Sequence, residues 1–255
     1  MKRQIFLLSV IIIAAIAAIR CNKSVEVVRE EAHWEYENPD WQQIGYLECG
    51  TKSQSPVDIP TSQTILAQDL PAISVNYSPF AMNIVDNSHT IQVNATDTLN
   101  TTVFNGIKYT FAQLHLHRKS EHTIDKKASD MELHVVHVDA EGNILVFARM
   151  IRAGVENAFL KTVFDNIPSE KKKEVETGVM LDLRDMMPSD ESYYTYSGTL
   201  TTPPCTHAVQ FVIFKEPMEA SAAQISYFES YYADNARPVQ PLHNRLILEK
   251  PTESL

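Results

Sequence analysis

The chain has 255 residues, of which 44% are hydrophobic and 21% are charged, fractions that are ordinary for a globular protein. Its formal net charge of −10 argues against nucleic-acid binding, because phosphate backbones are bound by basic surfaces. The length is sufficient for a sizeable core in one large domain or two small ones.

The N-terminus has the pattern of an export signal. Lys2 and Arg3 precede an apolar run over residues 5–19, which is short for a membrane-spanning helix. We therefore predict a signal peptide over residues 1–20, with an uncleaved membrane anchor as the alternative.

Cys21 follows the apolar run directly, where a bacterial lipoprotein carries its lipidated cysteine. However, Arg20 stands where a small residue is usual, so lipidation and free secretion both remain open. Residues 21–31 are charged and lack apolar periodicity, which is typical of a linker. We expect the folded domain to span residues 32–250.

Short runs of β-branched and aromatic residues follow, separated by turn residues such as Asn105-Gly106, a hairpin signal. The predicted strands include residues 84–85, 89–93, 102–104, 108–117, 132–138, 144–151 and 208–214. Helical spacing predicts helices over 157–166 and 220–232 and a short exposed helix over 169–176. This order predicts a single mainly-β (α+β) domain, with a large, mostly antiparallel, twisted central sheet flanked by short helices.

Three cysteines occur in the chain. If processing or lipid takes Cys21, then Cys49 and Cys205 form an even pair. They are either a disulfide, which export would permit, or two buried thiols.

Three histidines have a spacing that suggests a metal site. His115 and His117 lie two apart in one predicted strand and therefore point to the same face, and His134 lies in another strand. If these strands are neighbours, three imidazoles converge on one point, as a catalytic zinc ion requires. A His-x-His pair alone is weak support, because two ordinary strand histidines have the same spacing.

The neighbours of these histidines strengthen the interpretation. Gln113 and Glu132 each lie two residues before a histidine on the same face, where they can accept the second ring N–H of a zinc ligand. Leucines and valines in alternate positions face the opposite side and suit the core. We interpret His122 and His137, which fall outside this pattern, as structural.

Longer motifs resemble the α-class carbonic anhydrases, in particular their exported bacterial type. The matching segments are 53–59 (SQSPVDI), 113–117 (QLHLH), 120–125 (SEHTID), 132–137 (ELHVVH), 199–205 (TLTTPPC) and 237–245 (RPVQPLHNR). The similarity covers roughly residues 33–248, nearly all of the expected mature chain.

The resemblance implies zinc-dependent, reversible hydration of carbon dioxide to bicarbonate and a proton, in a conical cavity. His115, His117 and His134 would bind Zn²⁺, which lowers the pKa of its bound water to about 7, the value established for carbonic anhydrases. Thr201 would accept a hydrogen bond from the resulting hydroxide and donate its own to Glu121, because a hydroxyl can do both.

The resemblance also implies roles in substrate binding and proton transfer. The residues implied for the carbon dioxide and bicarbonate pocket are Val136, Val146, Leu200 and Thr202. His89 matches the proton-shuttle position, where an imidazole with an ordinary pKa near 6.5 can accept and release a proton. The residues implied to order water between His89 and zinc are Tyr36, Asn87 and Gln92.

The chain departs from the family in two places and agrees with it at the cysteines. Arg118-Lys119 stands where Trp-Gly is common, and Phe211 stands where the family often has Trp. Cys49 and Cys205 match the disulfide positions of many exported bacterial members.

Three functions are consistent with this sequence. An active carbonic anhydrase is expected first, because all three zinc histidines are present. A catalytically silent, carbonic-anhydrase-like binding module and a zinc esterase side activity are the alternatives. We expect a small-molecule substrate and no nucleic acid. The protein would be periplasmic or secreted, as a monomer or homodimer, with membrane contact only through an N-terminal lipid or an uncleaved signal anchor.

Overall fold

A computed structural model describes residues 33–252. The predicted signal peptide, Cys21 and the predicted linker lie outside these residues. The strands are β1 (Asp58–Ile59), β2 (Ile65–Leu66), β3 (Ser74–Asn76), β4 (Phe80–Asp86), β5 (Ile91–Asn94), β6 (Thr101–Phe104), β7 (Ile107–His117), β8 (Thr123–Ile124), β9 (Lys127–Ala128), β10 (Met131–Val138), β11 (Ile144–Ala153), β12 (Val175–Leu181), β13 (Tyr193–Thr199), β14 (His207–Ala220) and β15 (Leu248–Lys250). The helices are α1 (Ala158–Phe164) and α2 (Ala222–Glu229), with 3₁₀ turns at Trp41–Ile44, Leu47–Gly50, Thr61–Gln63 and Leu183–Met186.

Twelve of the described strands form one sheet, in the order β12-β4-β5-β7-β10-β11-β14-β13-β15-β2, with β6 also paired to β7 and β3 to β6. The pairs β11–β14 and β15–β2 are parallel, and the other pairs in this sheet are antiparallel. The prediction of one mainly-β domain with a large, mostly antiparallel sheet is therefore confirmed.

A β-bulge in β7 decides which residues of this strand face the core. In the pairing of β7 with β10, Val136 lies opposite Gln113 and the next residue, His137, lies opposite Phe111, so Ala112 is the extra residue. Before the bulge, the odd-numbered residues Tyr109 and Phe111 are buried in the core, and after it Leu114 and Leu116 are buried there. Since one extra residue reverses the alternation of side chains, the odd-numbered histidines of β7 turn away from the main core.

Two apolar clusters lie against the sheet. The larger includes Leu114, Leu116, Leu133 and Val135 and also takes in the buried faces of α1 and α2. The smaller contains Val136 of β10 together with residues of β11, β13 and β14. The ligand-bearing part of β7 and β10 therefore has the main core behind it.

Both described α-helices agree with the predicted ones but are shorter. The Asn157 side chain accepts the Leu160 N–H at the start of α1, and Ser221 and Gln224 form a capping box at the start of α2. These caps fix each start within the predicted range. Among residues 33–252, no helix is long and apolar enough to cross a membrane.

The predicted helix over 169–176 is wrong. Lys172 has a φ of 61°, in the left-handed region, which interrupts a right-handed helix. From Val175 the chain enters β12, which pairs with β4 at one edge of the sheet.

Candidate metal centre

Three histidines converge between β7 and β10. His134 lies directly opposite His115 in the pairing of these strands, and His117 lies opposite Glu132. The ring centroids are 4.7 to 5.2 Å apart. One nitrogen from each ring lies within 4.8 Å of the other two, which is the geometry that a single metal ion needs.

Each of the three rings donates its other N–H to an acceptor. His115 Nδ1 donates to Gln113 Oε1 at 2.8 Å, and His134 Nε2 donates to Glu132 Oε1 at 2.8 Å, so both sequence-predicted contacts are formed. His117 Nδ1 donates to the carbonyl oxygen of Asn235 at 2.9 Å. These bonds leave Nε2 of His115, Nε2 of His117 and Nδ1 of His134 as the nitrogens for a metal.

The sequence prediction missed Asn235. It acts through its backbone carbonyl and lies 118 residues from His117, so neither its side-chain type nor its spacing carried a signal. Only its position just before Arg237, where a segment that resembles the family begins, pointed to a role at the site.

Buried charges around the site favour a cation there. Burial lowers the pKa of His115 and of His117, which favours the neutral ring that can bind a metal. Burial alone would raise the pKa of Glu132, but His122 and His134 hold it well below its ordinary value. Burial would also lower the pKa of His134, but the Glu132 carboxylate raises it, so this field favours either a proton or a metal ion at that ring.

Two buried atoms at the centre have no hydrogen-bond partner among the described residues, namely His117 Nε2 and Glu121 Oε2. They lie 3.4 Å apart, and Glu121 Oε2 is 3.9 Å from His134 Nδ1. Unpaired buried polar atoms are rare. Three ring nitrogens beside a buried carboxylate are a donor set that fits a zinc ion.

One expected hydrogen bond at this centre is not formed. Glu121 Oε1 accepts the backbone N–H of Arg237 at 2.9 Å, and Oε2 has no hydrogen-bond partner, so neither oxygen takes the Thr201 hydroxyl. The unpaired oxygen faces the ring nitrogens instead, where a positive charge is favoured. Thr201 itself is buried.

The other two singled-out histidines are structural, as predicted. His122 Nδ1 donates to Glu132 Oε1, and its Nε2 lies 2.7 Å from the Tyr196 hydroxyl, so it has no free nitrogen for a metal. His137 Nε2 lies 2.7 Å from the buried Tyr77 hydroxyl.

An apolar wall adjoins the histidines. Val136 and Val146 are direct partners across β10 and β11, both are buried, and Leu200 packs against the same cluster. Phe211 lies there too and stacks on Tyr196 with centroids 5.1 Å apart. It therefore fills, with a smaller ring, the place where the family often has Trp.

His89 lies beside aromatic residues from the N-terminal part of the domain. It stacks on Trp34 with centroids 3.8 Å apart and an interplanar angle of 9°. The Tyr36 ring is 6.5 Å from His89 and 6.5 Å from His117, and Asn87 Nδ2 donates to Gln92 Oε1 at 3.1 Å. Tyr36 therefore lies near both His89 and one of the three converging histidines.

A disulfide joins Cys49 to Cys205. Of the two interpretations of these cysteines, the disulfide is therefore confirmed. Both cysteines are buried beside Trp41. The bond attaches the chain near Thr201 and Thr202 to the N-terminal part of the domain.

Comparison with known proteins points to one family. The family model described as eukaryotic-type carbonic anhydrase matches residues 36–251. A carbonic anhydrase of a Nostoc species is 36% identical over 225 residues, covering 85% of this chain and 81% of the relative. A carbonic anhydrase of Neisseria gonorrhoeae is 37% identical over 225 residues, covering 85% and 88%.

A solved structure gives the same result. The α-carbonic anhydrase of Thermovibrio ammonificans, in complex with the inhibitor sulfanilamide, superposes with a TM-score of 0.82 at 37% sequence identity. The match covers 85% of this chain and 99% of that one.

Proposed function

This chain belongs to the eukaryotic-type, or α-class, carbonic anhydrase family, and from that premise we propose that it hydrates carbon dioxide reversibly at a zinc ion held by His115, His117 and His134. The observation that carries the proposal is the convergence of three ring nitrogens within 4.8 Å. Zinc bound there supplies a Lewis acid that makes hydroxide available near neutral pH, a property established for carbonic anhydrases.

The protein's own residues prepare the site. Gln113, the Asn235 carbonyl and Glu132 fix the tautomer and orientation of the three rings. The apolar side chains of Val136, Val146 and Leu200 suit a nonpolar substrate, and Thr202 would hold the bicarbonate product.

Thr201 would aim the nucleophile. A hydroxyl can accept one hydrogen bond and donate another, and Glu121 Oε2 is a buried acceptor with no other hydrogen-bond partner among the described residues. We infer that Thr201 donates to this oxygen during the reaction and thereby presents its lone pair to the attacking hydroxide.

His89 would carry the proton to solvent. Its side chain is half-buried, so it lies between the interior and the surface. Tyr36, Asn87 and Gln92 would order water between His89 and the zinc site.

The central test combines metal analysis with a carbon dioxide hydration assay. We expect about one zinc per chain and sulfonamide-sensitive hydration, and we expect His134→Ala to lose both the zinc and the activity. His243→Ala, which changes an exposed histidine, is the matched control and should behave as wild type. Full hydration activity in zinc-free protein would contradict the proposal.

The same assay separates the alternatives. A silent binding module would show no hydration even with zinc bound. An esterase would cleave an activated ester faster than it hydrates carbon dioxide, whereas we expect ester cleavage only as a side activity of the same hydroxide.

A second test addresses the shuttle. We expect His89→Ala to lower kcat by about a hundredfold, the lower end of the usual range for a positioned acid–base group, while kcat/KM stays nearly unchanged. Added imidazole buffer should restore kcat, because it supplies the missing proton acceptor. A kcat that is unchanged in dilute buffer would exclude His89 as the shuttle.

We also propose that the protein is exported to the periplasm or secreted. The Cys49–Cys205 disulfide supports this, because disulfides persist mainly in oxidising compartments. Mass spectrometry of the mature N-terminus distinguishes cleavage after residue 20 with a lipid on Cys21 from free secretion and from an uncleaved anchor.

A further inference from the structure

We propose that Arg118 is a positioning residue of the metal centre, in addition to the zinc function proposed above. Its guanidinium ties the segment that follows α2 to the end of β7. In this way it holds the Asn235 carbonyl against the ring of His117.

Arg118 makes three hydrogen bonds to this segment, one from its guanidinium and two from its backbone, and an ion pair to the last residue of α2. Its Nη1 donates to the Ala233 carbonyl at 2.8 Å, and its Nη2 pairs with Glu229 Oε1 at 2.9 Å. Its backbone N–H donates to Asn235 Oδ1 at 2.7 Å, and its carbonyl accepts the Asn235 N–H at 2.7 Å.

Asn235 passes this restraint to the metal centre. Its carbonyl accepts the Nδ1–H of His117 at 2.9 Å, while its Nδ2 donates to the carbonyls of Leu116 and His89 at 3.0 Å each. A shift of Asn235 would therefore turn a zinc ligand and move the chain at His89.

The segment depends on these contacts because it has little regular structure. α2 ends at Glu229, and residues 234–239 belong to neither a helix nor a strand. No ladder of backbone hydrogen bonds fixes them, so discrete contacts must do so. The Arg118 guanidinium also lies at the C-terminal end of α2, where positive charge is favourable.

Lysine cannot replace arginine fully in this position. The planar guanidinium donates to the Ala233 carbonyl and pairs with Glu229 in a different direction, whereas an ammonium is a single point charge on a flexible stem. Of the pair, the Arg118 side chain is 20% exposed and that of Glu229 is 44% exposed. Because exposed ion pairs stabilise little, we expect the effect at the zinc ligand to exceed the effect on folding.

The test measures zinc release from the holoenzyme into a chelator. We expect Arg118→Ala to release zinc about tenfold faster, at the lower end of the range for groups that orient metal ligands. Arg118→Lys should fall between Arg118→Ala and wild type. Glu229→Gln, which removes only the ion pair, should speed release about two- to fivefold, a smaller change than the full loss of an orienting group.

Arg184→Ala is the matched control. It removes an arginine that pairs with Asp182, away from the ligand-bearing strands, and should leave zinc release unchanged. The cobalt-substituted proteins add a spectroscopic readout, because the visible bands of Arg118→Ala should differ from wild type if the His117 ring has turned.

Unaltered zinc release and cobalt bands in folded Arg118→Ala would overturn the proposal, even if the variant has a lower melting temperature. If Arg118→Ala does not fold, unchanged release from both Arg118→Lys and Glu229→Gln has the same consequence. Wild-type protein that binds no zinc would instead contradict the proposed function itself.

Discussion

The indole of Trp34 covers one face of the His89 imidazole, with ring centroids 3.8 Å apart. Burial lowers the pKa of His89, and the charges of His33 and Lys172 lower it further, whereas Glu35 and Glu37 act in the opposite direction. Because the net effect lowers the pKa, the ring stays neutral down to a lower pH. A shuttle at this position would therefore take up a proton at a pH below about 6.5, the ordinary pKa of imidazole.

Trp34→Ala should therefore raise the pKa of His89 toward its ordinary value. Removal of the indole exposes the ring, and water stabilises the imidazolium form. Titration of the His89 ring proton signals by NMR measures the shift, and His33→Ala, which removes a smaller contribution, should raise the pKa less. A lower pKa in Trp34→Ala would mean that cation–π attraction to the indole outweighs burial.

The residues of the site differed in how far the sequence could predict them. Gln113 and Glu132 could be predicted because they lie two positions before a ligand in the same strand. The Asn235 carbonyl was not, because a backbone acceptor from a distant segment leaves no residue-type signal. The Thr201–Glu121 hydrogen bond was expected from resemblance alone, and the structure leaves Glu121 Oε2 unpaired.

At the scale of elements, the bulge at Ala112 lets one strand serve the core and the metal centre. The odd-numbered residues Tyr109 and Phe111 are buried in the main core before it, and Leu114 and Leu116 are buried there after it. Without the extra residue, His115 and His117 would share the face of Phe111. Local alternation within residues 113–117 predicted the correct faces, although the bulge itself could not be read from the sequence.

Leu114→Ala should test the core side of this strand. Leu114 is fully buried opposite Val135, so its truncation should lower the free energy of unfolding by about 2–5 kcal/mol, as measured by urea denaturation. Zinc content should remain unchanged, because the side chain points away from the ligands. Val103→Ala, at a position 39% exposed on β6, should change stability by less than about 0.5 kcal/mol. Equal effects of the two changes would contradict the assignment of the core face.

The other elements show where periodicity was insufficient. β13 is rich in aromatic and β-branched residues, a composition that favours a strand even without clear alternation. Residues 169–176 contain many lysines and glutamates, which favour a helix, but the left-handed conformation of Lys172 and the pairing of β12 with β4 override that preference.

At the scale of the molecule, the Cys49–Cys205 disulfide joins parts of the chain that are 156 residues apart. It packs with Trp41, and Trp34 and Tyr36 lie against the same cluster. The sequence alone left two buried thiols as an alternative, because two cysteines so far apart reveal their proximity only through the fold. The bond therefore links the aromatic cluster beside His89 to the loop that carries Thr201.

Loss of this disulfide should destabilise the whole domain. In the chain-entropy model a loop of this length corresponds to about 5 kcal/mol, and native disulfides of secreted domains typically contribute about 2–5 kcal/mol. Urea denaturation of the zinc-bound protein with and without reductant measures the difference. The double variant Cys49→Ala/Cys205→Ala should match the reduced wild type and should not respond to reductant. Because the bond holds the Thr201 loop, hydration activity should be lost at lower urea in the variant. Identical midpoints for wild type and variant would show that packing around Trp41 holds these segments without the covalent link.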